Sequence, residues 1–104
     1  MKTNGPCLDE VSAAVLARVA ESLRVLAHPE RLKIVDVLRE MGEAPVGAVV
    51  ERLGRPQAAV SLHLSQLRRV GLVAGERRGR EVWYRVDNPR VFTMLECIRK
   101  GCGG

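Results

Sequence analysis

Apolar positions at helical spacing predict that the first half of the chain is helical. From Leu8 to Ala27 they recur every three or four residues and form a broad stripe. Pro29 ends this first helix, because the residue before a proline avoids helical geometry. The same proline suits the first turn of a second helix, which we expect from Glu30 to about Met41. Residues 42–45 then form a predicted connector.

The second half of the chain predicts a helix-turn-helix followed by a hairpin and a last helix. The third helix extends from Val46 to Leu53 and is stopped by Gly54, and the fourth extends from Pro56 to Gly71. A two-stranded hairpin with a turn at Gly79 follows and ends at Val86. The fifth helix extends from Arg90 to Lys100 and is closed by Gly101. The predicted fold class is mainly α with a β-hairpin wing, a winged helix-turn-helix. We expect a single domain over residues 1–104, with residues 1–7 and 101–104 as flexible ends.

Basic residues are concentrated around the hairpin. Residues 68–90 hold seven arginines and three carboxylates, which is four of the chain's five net positive charges. Such a block is the electrostatic footprint of a polyanion partner. A short helix with small polar outer residues beside a basic hairpin suits a protein that places the helix in the major groove of double-stranded DNA. The alternative is a charged hairpin that is only solvated.

Other functional classes fit less well. Charged residues at 18, 21 and 24 interrupt the apolar run after Val11, so we expect no signal peptide and no membrane span. Three cysteines without framework spacing indicate a cytoplasmic protein with reduced thiols. His28 and His63 are the only histidines and no catalytic arrangement surrounds them, so we expect no enzyme. A winged helix that contacts protein or RNA remains the alternative of a different class.

The fourth helix carries the candidate DNA-reading residues. Val60, Leu64 and Leu67 share its buried stripe. The residues expected to face solvent or DNA are Gln57, Ala58, Ser61, Leu62 and Ser65. Gln57 would read adenine through its amide, and Ser61 would bond a base edge or a phosphate. Leu62 would either contact a thymine methyl or be an incidental surface residue.

Three arginines in the hairpin are candidate backbone contacts. Arg77, Arg78 and Arg80 surround the turn and would touch phosphate or the minor groove rather than specify sequence in the major groove. His63 borders the buried stripe of the fourth helix. We therefore expect it to be a packed, hydrogen-bonded side chain rather than a base reader.

The first and fifth helices are candidates for assembly. Both lie outside the compact helix-turn-helix and have apolar stripes with no obvious cover in one chain. Pairing them with their copies in a second subunit would form a homodimer. Its two reading helices would lie about one DNA turn, roughly 34 Å, apart on a palindromic operator. The alternative is that the two helices pack on each other within one chain.

Several segments in this order resemble the ArsR/SmtB family of effector-responsive repressors. They are Leu26-Ala27-His28-Pro29-Glu30-Arg31-Leu32-Lys33-Ile34-Val35, Val60-Ser61-Leu62-His63-Leu64-Ser65-Gln66-Leu67-Arg68-Arg69-Val70-Gly71-Leu72-Val73, Arg77-Arg78-Gly79-Arg80 and Tyr84-Arg85-Val86. The likeness spans about residues 16–100. It implies a homodimer built on the first and last helices that represses in the free state. It also implies release from the operator when a metal, metalloid or oxidant is sensed.

The sensing sites known in that family are incomplete in this chain. The third-helix thiolate motif would fall in residues 44–52, which hold no cysteine or histidine, and the last-helix zinc pattern needs histidines that residues 87–104 lack. Persulfide sensors of the family pair a second-helix cysteine with one in the fifth helix, and the second-helix position is Asp36 here.

Three cysteines remain as candidate effector ligands: Cys7, Cys97 and Cys102. Three thiolates match the soft, trigonal demand of As(III), so arsenite is the first candidate effector. Persulfide or disulfide modification by reactive sulfur or an oxidant is the second. The alternative is that Cys97 is simply a small apolar residue and that the terminal thiols are unpaired. We expect no constitutive cofactor.

Overall fold

The fold consists of five helices and a small antiparallel sheet, as the apolar pattern predicts. The computed structural model describes residues 5–102, with side chains as far as residue 101. The elements are α1 (Ala13–Leu26), α2 (Pro29–Met41), β1 (Ala44–Pro45), α3 (Val46–Leu53), α4 (Gln57–Arg69), β2 (Val73–Arg78), β3 (Glu81–Val86) and α5 (Arg90–Cys102). The winged helix-turn-helix is therefore confirmed, with α3 and α4 as the helix-turn-helix and β2–β3 as the wing.

The sheet has three strands rather than the two predicted. Residues 44 and 45, expected to be a connector, form β1 and pair with β3, so that the strand order is β1-β3-β2. Ala44 lies opposite Tyr84, and Pro45 lies opposite Trp83. A two-residue strand is too short to show an alternating pattern, and a proline is tolerated here because β1 is an edge strand.

The outer helices have different ends from those predicted. α1 begins at Ala13 rather than at Leu8, because the side chain of Ser12 accepts a hydrogen bond from the backbone N–H of Val15 at 3.2 Å and caps the helix. α5 does not close at Gly101 but continues through Cys102. Gly101 does not adopt the positive φ that ends a helix at Gly54, where φ is 66°.

The core lies where α2, α3 and α4 pack over the inner face of the sheet. Its fully buried side chains are Ile34, Val35, Leu38, Val49, Val60, Leu64, Leu67 and Val73. These include all three residues predicted for the buried stripe of α4, and burial of such a stripe sets the rotation of a helix about its axis. The opposite face of α4 is therefore directed outward. Within residues 5–102 no helix has both the length and the apolarity needed to cross a bilayer.

Candidate nucleic-acid interface

The outer face of α4 is a surface of small side chains with one large apolar residue. Gln57, Ala58, Ser61, Leu62 and Ser65 are all exposed, as the helical period predicts. Leu62 is 58% exposed, the largest fraction among the exposed large apolar side chains of the part of the chain that the structure describes. Short side chains around it would let the helix approach a groove closely. The amide and hydroxyl groups offer both donors and acceptors for base edges.

Two of the three wing arginines have no ion pair within the described residues. Arg77 and Arg80 are exposed, and neither makes a salt bridge with any residue that the structure describes. The turn between them is made by Gly79, whose φ of 65° suits a residue without a Cβ atom. Both guanidinium groups are therefore free to meet the phosphates of a polyanion.

Arg78 is held by an acidic cluster that sequence reasoning missed. Its guanidinium donates to both carboxylate oxygens of Glu43, at 3.2 and 2.8 Å, and to Glu76 at 2.9 Å. It also lies over the ring of Trp83, 5.0 Å from the centroid. The sequence alone indicates the pairing of Glu76 with Arg78, because the two residues are two apart on one strand. It does not indicate Glu43, which is 35 residues away along the chain and approaches Arg78 through the pairing of β1 with β3.

The charges of this cluster stabilise one another. Hydrogen bonds from Arg78 lower the pKa of Glu43 below its usual value. Hydrogen bonds to Glu43 and then to Glu76 raise the pKa of Arg78. Glu43 and Arg78 are therefore charged at neutral pH. Two carboxylates and one guanidinium leave the cluster with a net negative charge.

His63 is a packed, hydrogen-bonded side chain that links α4 to α2. Its Nδ1 accepts a hydrogen bond from Nε of Arg31 at 3.1 Å, and Arg31 also donates to the carbonyl of Val25 at 2.9 Å. The His28 ring lies 4.6 Å away, centroid to centroid, while its own Nδ1 accepts from the backbone N–H of Glu30 at 3.1 Å. These contacts confirm the structural interpretation of His63.

Acidic pH should loosen this contact and lower the free energy of unfolding. Burial lowers the pKa of His63 most, and the charges of His28, Arg31 and Arg55 lower it further. The carboxylate of Glu30 raises this pKa and so partly offsets them. A histidine with a lowered native pKa stabilises the fold above about pH 6.5, and this stabilisation is lost as the pH falls from there through the native pKa. Protonated Nδ1 also cannot accept from Arg31.

Urea unfolding at about pH 7.5 and pH 5.5 measures this effect. We expect His63→Gln to show a smaller loss of stability between the two pH values than the native chain, because glutamine keeps an acceptor and does not titrate. An equal loss in both proteins would assign the pH dependence to other groups.

The candidate effector cysteines are spread over the outer segments. Cys7 precedes α1 and Cys97 lies on α5, and both thiols are free and exposed. The backbone of Cys102 is in the last turn of α5, but its side chain lies outside the part that the structure describes. No group of three or more His, Cys, Asp or Glu side chains that could hold a metal occurs among the described residues of the single chain. The predicted three-thiolate site includes Cys102 and so lies partly outside the described residues.

The outer faces of α1 and α5 expose apolar side chains. Val19 and Leu23 on α1 and Phe92 and Ile98 on α5 are between 37% and 47% exposed. Among the side chains of α1 and α5 that the structure describes, only the last two of α1 and one of α5 are buried in the core. A groove of about 230 Å³ runs between the two helices, with an apolar lining that includes Leu23 and Met94. The two helices therefore do not cover each other's stripes within one chain.

Comparison with known proteins places this fold among DNA-binding regulators. A family of helix-turn-helix domains matches residues 26–76. The chain is 47% identical over 85 residues to the HTH-type transcriptional repressor SmtB of Mycobacterium tuberculosis, covering 81% of this chain and 62% of SmtB. It is 39% identical over 79 residues to the transcriptional repressor PagR of Bacillus anthracis, covering 76% of this chain and 79% of PagR. The chain thus spans less than two thirds of the length of SmtB.

Solved structures show the same architecture. The crystal structure of PagR superposes with a TM-score of 0.77 at 33% identity, over 84% of this chain and 99% of that one. The solution structure of the homodimeric winged helix-turn-helix DNA-binding domain of Mb0332 from Mycobacterium bovis superposes with a TM-score of 0.77 at 27% identity, over 98% of this chain and 91% of that one.

Proposed function

This chain belongs to the ArsR/SmtB family of winged helix-turn-helix transcriptional regulators, and we propose that it is an effector-responsive repressor that binds a palindromic operator as a homodimer. One observation carries the proposal. The outer face of α4 presents small polar groups and Leu62 to solvent, beside a wing with two unpaired arginines. A helix of this kind fits a major groove, while the wing meets the DNA backbone. Such a regulator acts in the cytoplasm, where its DNA is.

The proposed dimer is formed by α1 and α5. Their exposed apolar side chains and the groove between them are the surface that a second copy would cover. The winged helix-turn-helix domain of Mb0332 is homodimeric, which supports a dimer for a protein of the same architecture. A two-fold axis through this surface would present two copies of α4 to successive turns of one DNA face.

The proposed DNA contacts divide into readers and anchors. Gln57 and Ser61 are readers that bond base edges, and Leu62 contacts a thymine methyl through its exposed side chain. Ala58 and Ser65 line the same surface. Arg77 and Arg80 are anchors that meet phosphate and carry little sequence information.

Substitution of anchors and readers should have different effects. We expect Arg77→Gln with Arg80→Gln to weaken binding to operator and random DNA alike and to reduce the salt slope by up to about two units. We expect Gln57→Ala or Ser61→Ala to cost roughly 1–3 kcal/mol on the operator only. Fluorescence anisotropy with operator and with random DNA at several salt concentrations measures both the affinity and its salt slope. Equal losses from both classes on both DNAs would refute the division.

The proposed effector acts on thiols near the end of α5. Cys97 is exposed on a helix of the proposed dimer, and Cys102 ends the same helix. Cys7 would supply a third ligand from the other subunit, which would meet the trigonal preference of As(III). Arsenite is therefore the proposed inducer, with persulfide or an oxidant as the second candidate.

Titration of the protein on its own upstream DNA tests the proposed function. The reduced protein is mixed with labelled upstream DNA, and arsenite, cadmium, zinc or polysulfide is added. We expect salt-dependent binding that exceeds binding to random DNA, and release by a thiol reagent. Binding to RNA or protein without preference for the upstream DNA would instead support a winged-helix interaction module without effector sensing.

A further inference from the structure

The contacts of Arg78 indicate a control on DNA affinity within the wing. We propose that Glu43 and Glu76 form an internal anion site that occupies Arg78 in the free protein and so lowers the affinity of the wing for DNA. The inference rests on the proposed DNA-binding function and adds two residues, Glu43 and Glu76, that set the affinity for DNA. The cluster of Glu43, Glu76, Arg78 and Trp83 is called the arginine lock below.

The fold brings the lock together from three adjacent segments. Glu76 and Arg78 are two residues apart on β2, so their side chains share one face of the sheet. Trp83 lies opposite Glu76 in the register of β2 and β3 and supplies the ring beneath the guanidinium. Glu43 directly precedes β1, which pairs with the other edge of β3. The side chain of Arg78 therefore extends across β3 to reach it.

The lock uses the interactions by which arginine binds phosphate. Glu43 accepts two hydrogen bonds from two nitrogens of the guanidinium, which is the bidentate geometry that carboxylate and phosphate share. Glu76 takes a further contact at 2.9 Å. A DNA phosphate must displace Glu43 before it can make the same two-nitrogen contact with Arg78. Both carboxylates also repel that phosphate as it approaches.

The three wing arginines are thus unequal in the free protein. Arg77 and Arg80 have no salt bridge within the described residues, whereas Arg78 has two. An arginine that joins a phosphate adds about 0.9 to the slope of log K against log salt. If the lock holds, Arg78 contributes little of this slope in the native protein.

Neutralising Glu43 tests the lock. We expect Glu43→Gln to bind operator and random DNA roughly three- to tenfold more tightly at about 0.1 M salt, with a salt slope steeper by up to about one unit. Glu76→Gln should act in the same direction with a smaller effect, because it removes one contact rather than two. Both side chains are exposed, and thermal unfolding followed by circular dichroism checks that each variant is folded.

Two controls separate the lock from a general change in charge. Glu40→Gln also removes one carboxylate that pairs with an arginine, Arg52 on α3, but neither residue belongs to the wing or to α1 or α5. It should leave affinity unchanged within about twofold. In an Arg78→Gln background, Glu43→Gln should lose most of its effect, because the two residues act as a pair.

The outcomes are distinct. Tighter binding that disappears in the Arg78→Gln background supports the lock. Unchanged or weaker binding by Glu43→Gln overturns it, and so does an equal gain in both backgrounds, which would show a charge effect without Arg78. If the native chain and all variants fail to bind DNA, the proposed function itself is wrong rather than the lock alone.

Discussion

Leu23→Glu on α1 should convert the proposed dimer into a monomer and weaken operator binding by at least about a hundredfold. Leu23 is 46% exposed in the single chain and lines the groove between α1 and α5. In the dimer its side chain would be covered, and a buried carboxylate without a partner is strongly unfavourable. Loss of the second subunit removes one half-site and the gain from linked binding, which is commonly 10² to 10⁴.

Light scattering measures the loss of the dimer, and fluorescence anisotropy measures the loss of operator affinity. Met41→Glu is the matched control, because Met41 is an apolar side chain of similar exposure at the end of α2 and does not line the groove between α1 and α5. It should remain a dimer. A native chain that is monomeric at micromolar concentration, or a dimeric Leu23→Glu variant, would rule out the proposed interface.

The sequence predicts helix boundaries well where a local signal defines them. α3 has the predicted bounds, Val46–Leu53, since Gly54 takes the left-handed conformation that stops a helix. The predicted start of α1 was wrong because the apolar spacing extends before the helix begins at Ala13. The predicted end of α5 was wrong because Gly101 stays helical. Ser12 was a sequence signal for the start of α1, since serine is a preferred N-cap residue. The helical conformation of Gly101 is evident only from the backbone angles.

Contacts between distant segments were harder to predict. The outward direction of Gln57 and Ser61 followed from the buried stripe of α4, a property of one helix. The partners of Arg78 did not follow from the wing alone, because Glu43 approaches it through a strand of two residues. The DNA-backbone contacts of Arg77, Arg78 and Arg80 all stay predictions. The structure adds that Arg78 is paired with Glu43 and Glu76 in the free chain.

The helical backbone at Cys102 changes how the proposed thiol switch would work. Five residues of α-helix rise about 7.5 Å, and a disulfide needs Cα atoms within about 7 Å. A direct bond between Cys97 and Cys102 therefore requires the last turn of α5 to unwind. Since α5 is a helix of the proposed dimer, such unwinding would alter the angle between subunits and the spacing of the two reading helices.

Replacing Cys97 and Cys102 with serine should abolish release from DNA by the inducer. We expect the native protein to lose about 5- to 150-fold in operator affinity with arsenite, the range that coupling of 1–3 kcal/mol provides. The double variant should bind the operator normally without arsenite, because the exposed Cys97 thiol is not part of the core and belongs to α5 rather than to α4. With arsenite its affinity should not change.

Cys7→Ser and direct spectroscopy define the ligand set. If Cys7 is the third ligand, Cys7→Ser should weaken the response to arsenite while Cys97 and Cys102 still bind it, and near-ultraviolet absorbance should report fewer As–S bonds. If polysulfide is the inducer, mass spectrometry should instead show sulfur added between Cys97 and Cys102. A double variant that leaves the operator normally with every inducer that acts on the native protein would place the sensor outside these thiols, because serine neither ligates As(III) nor forms a sulfur bridge.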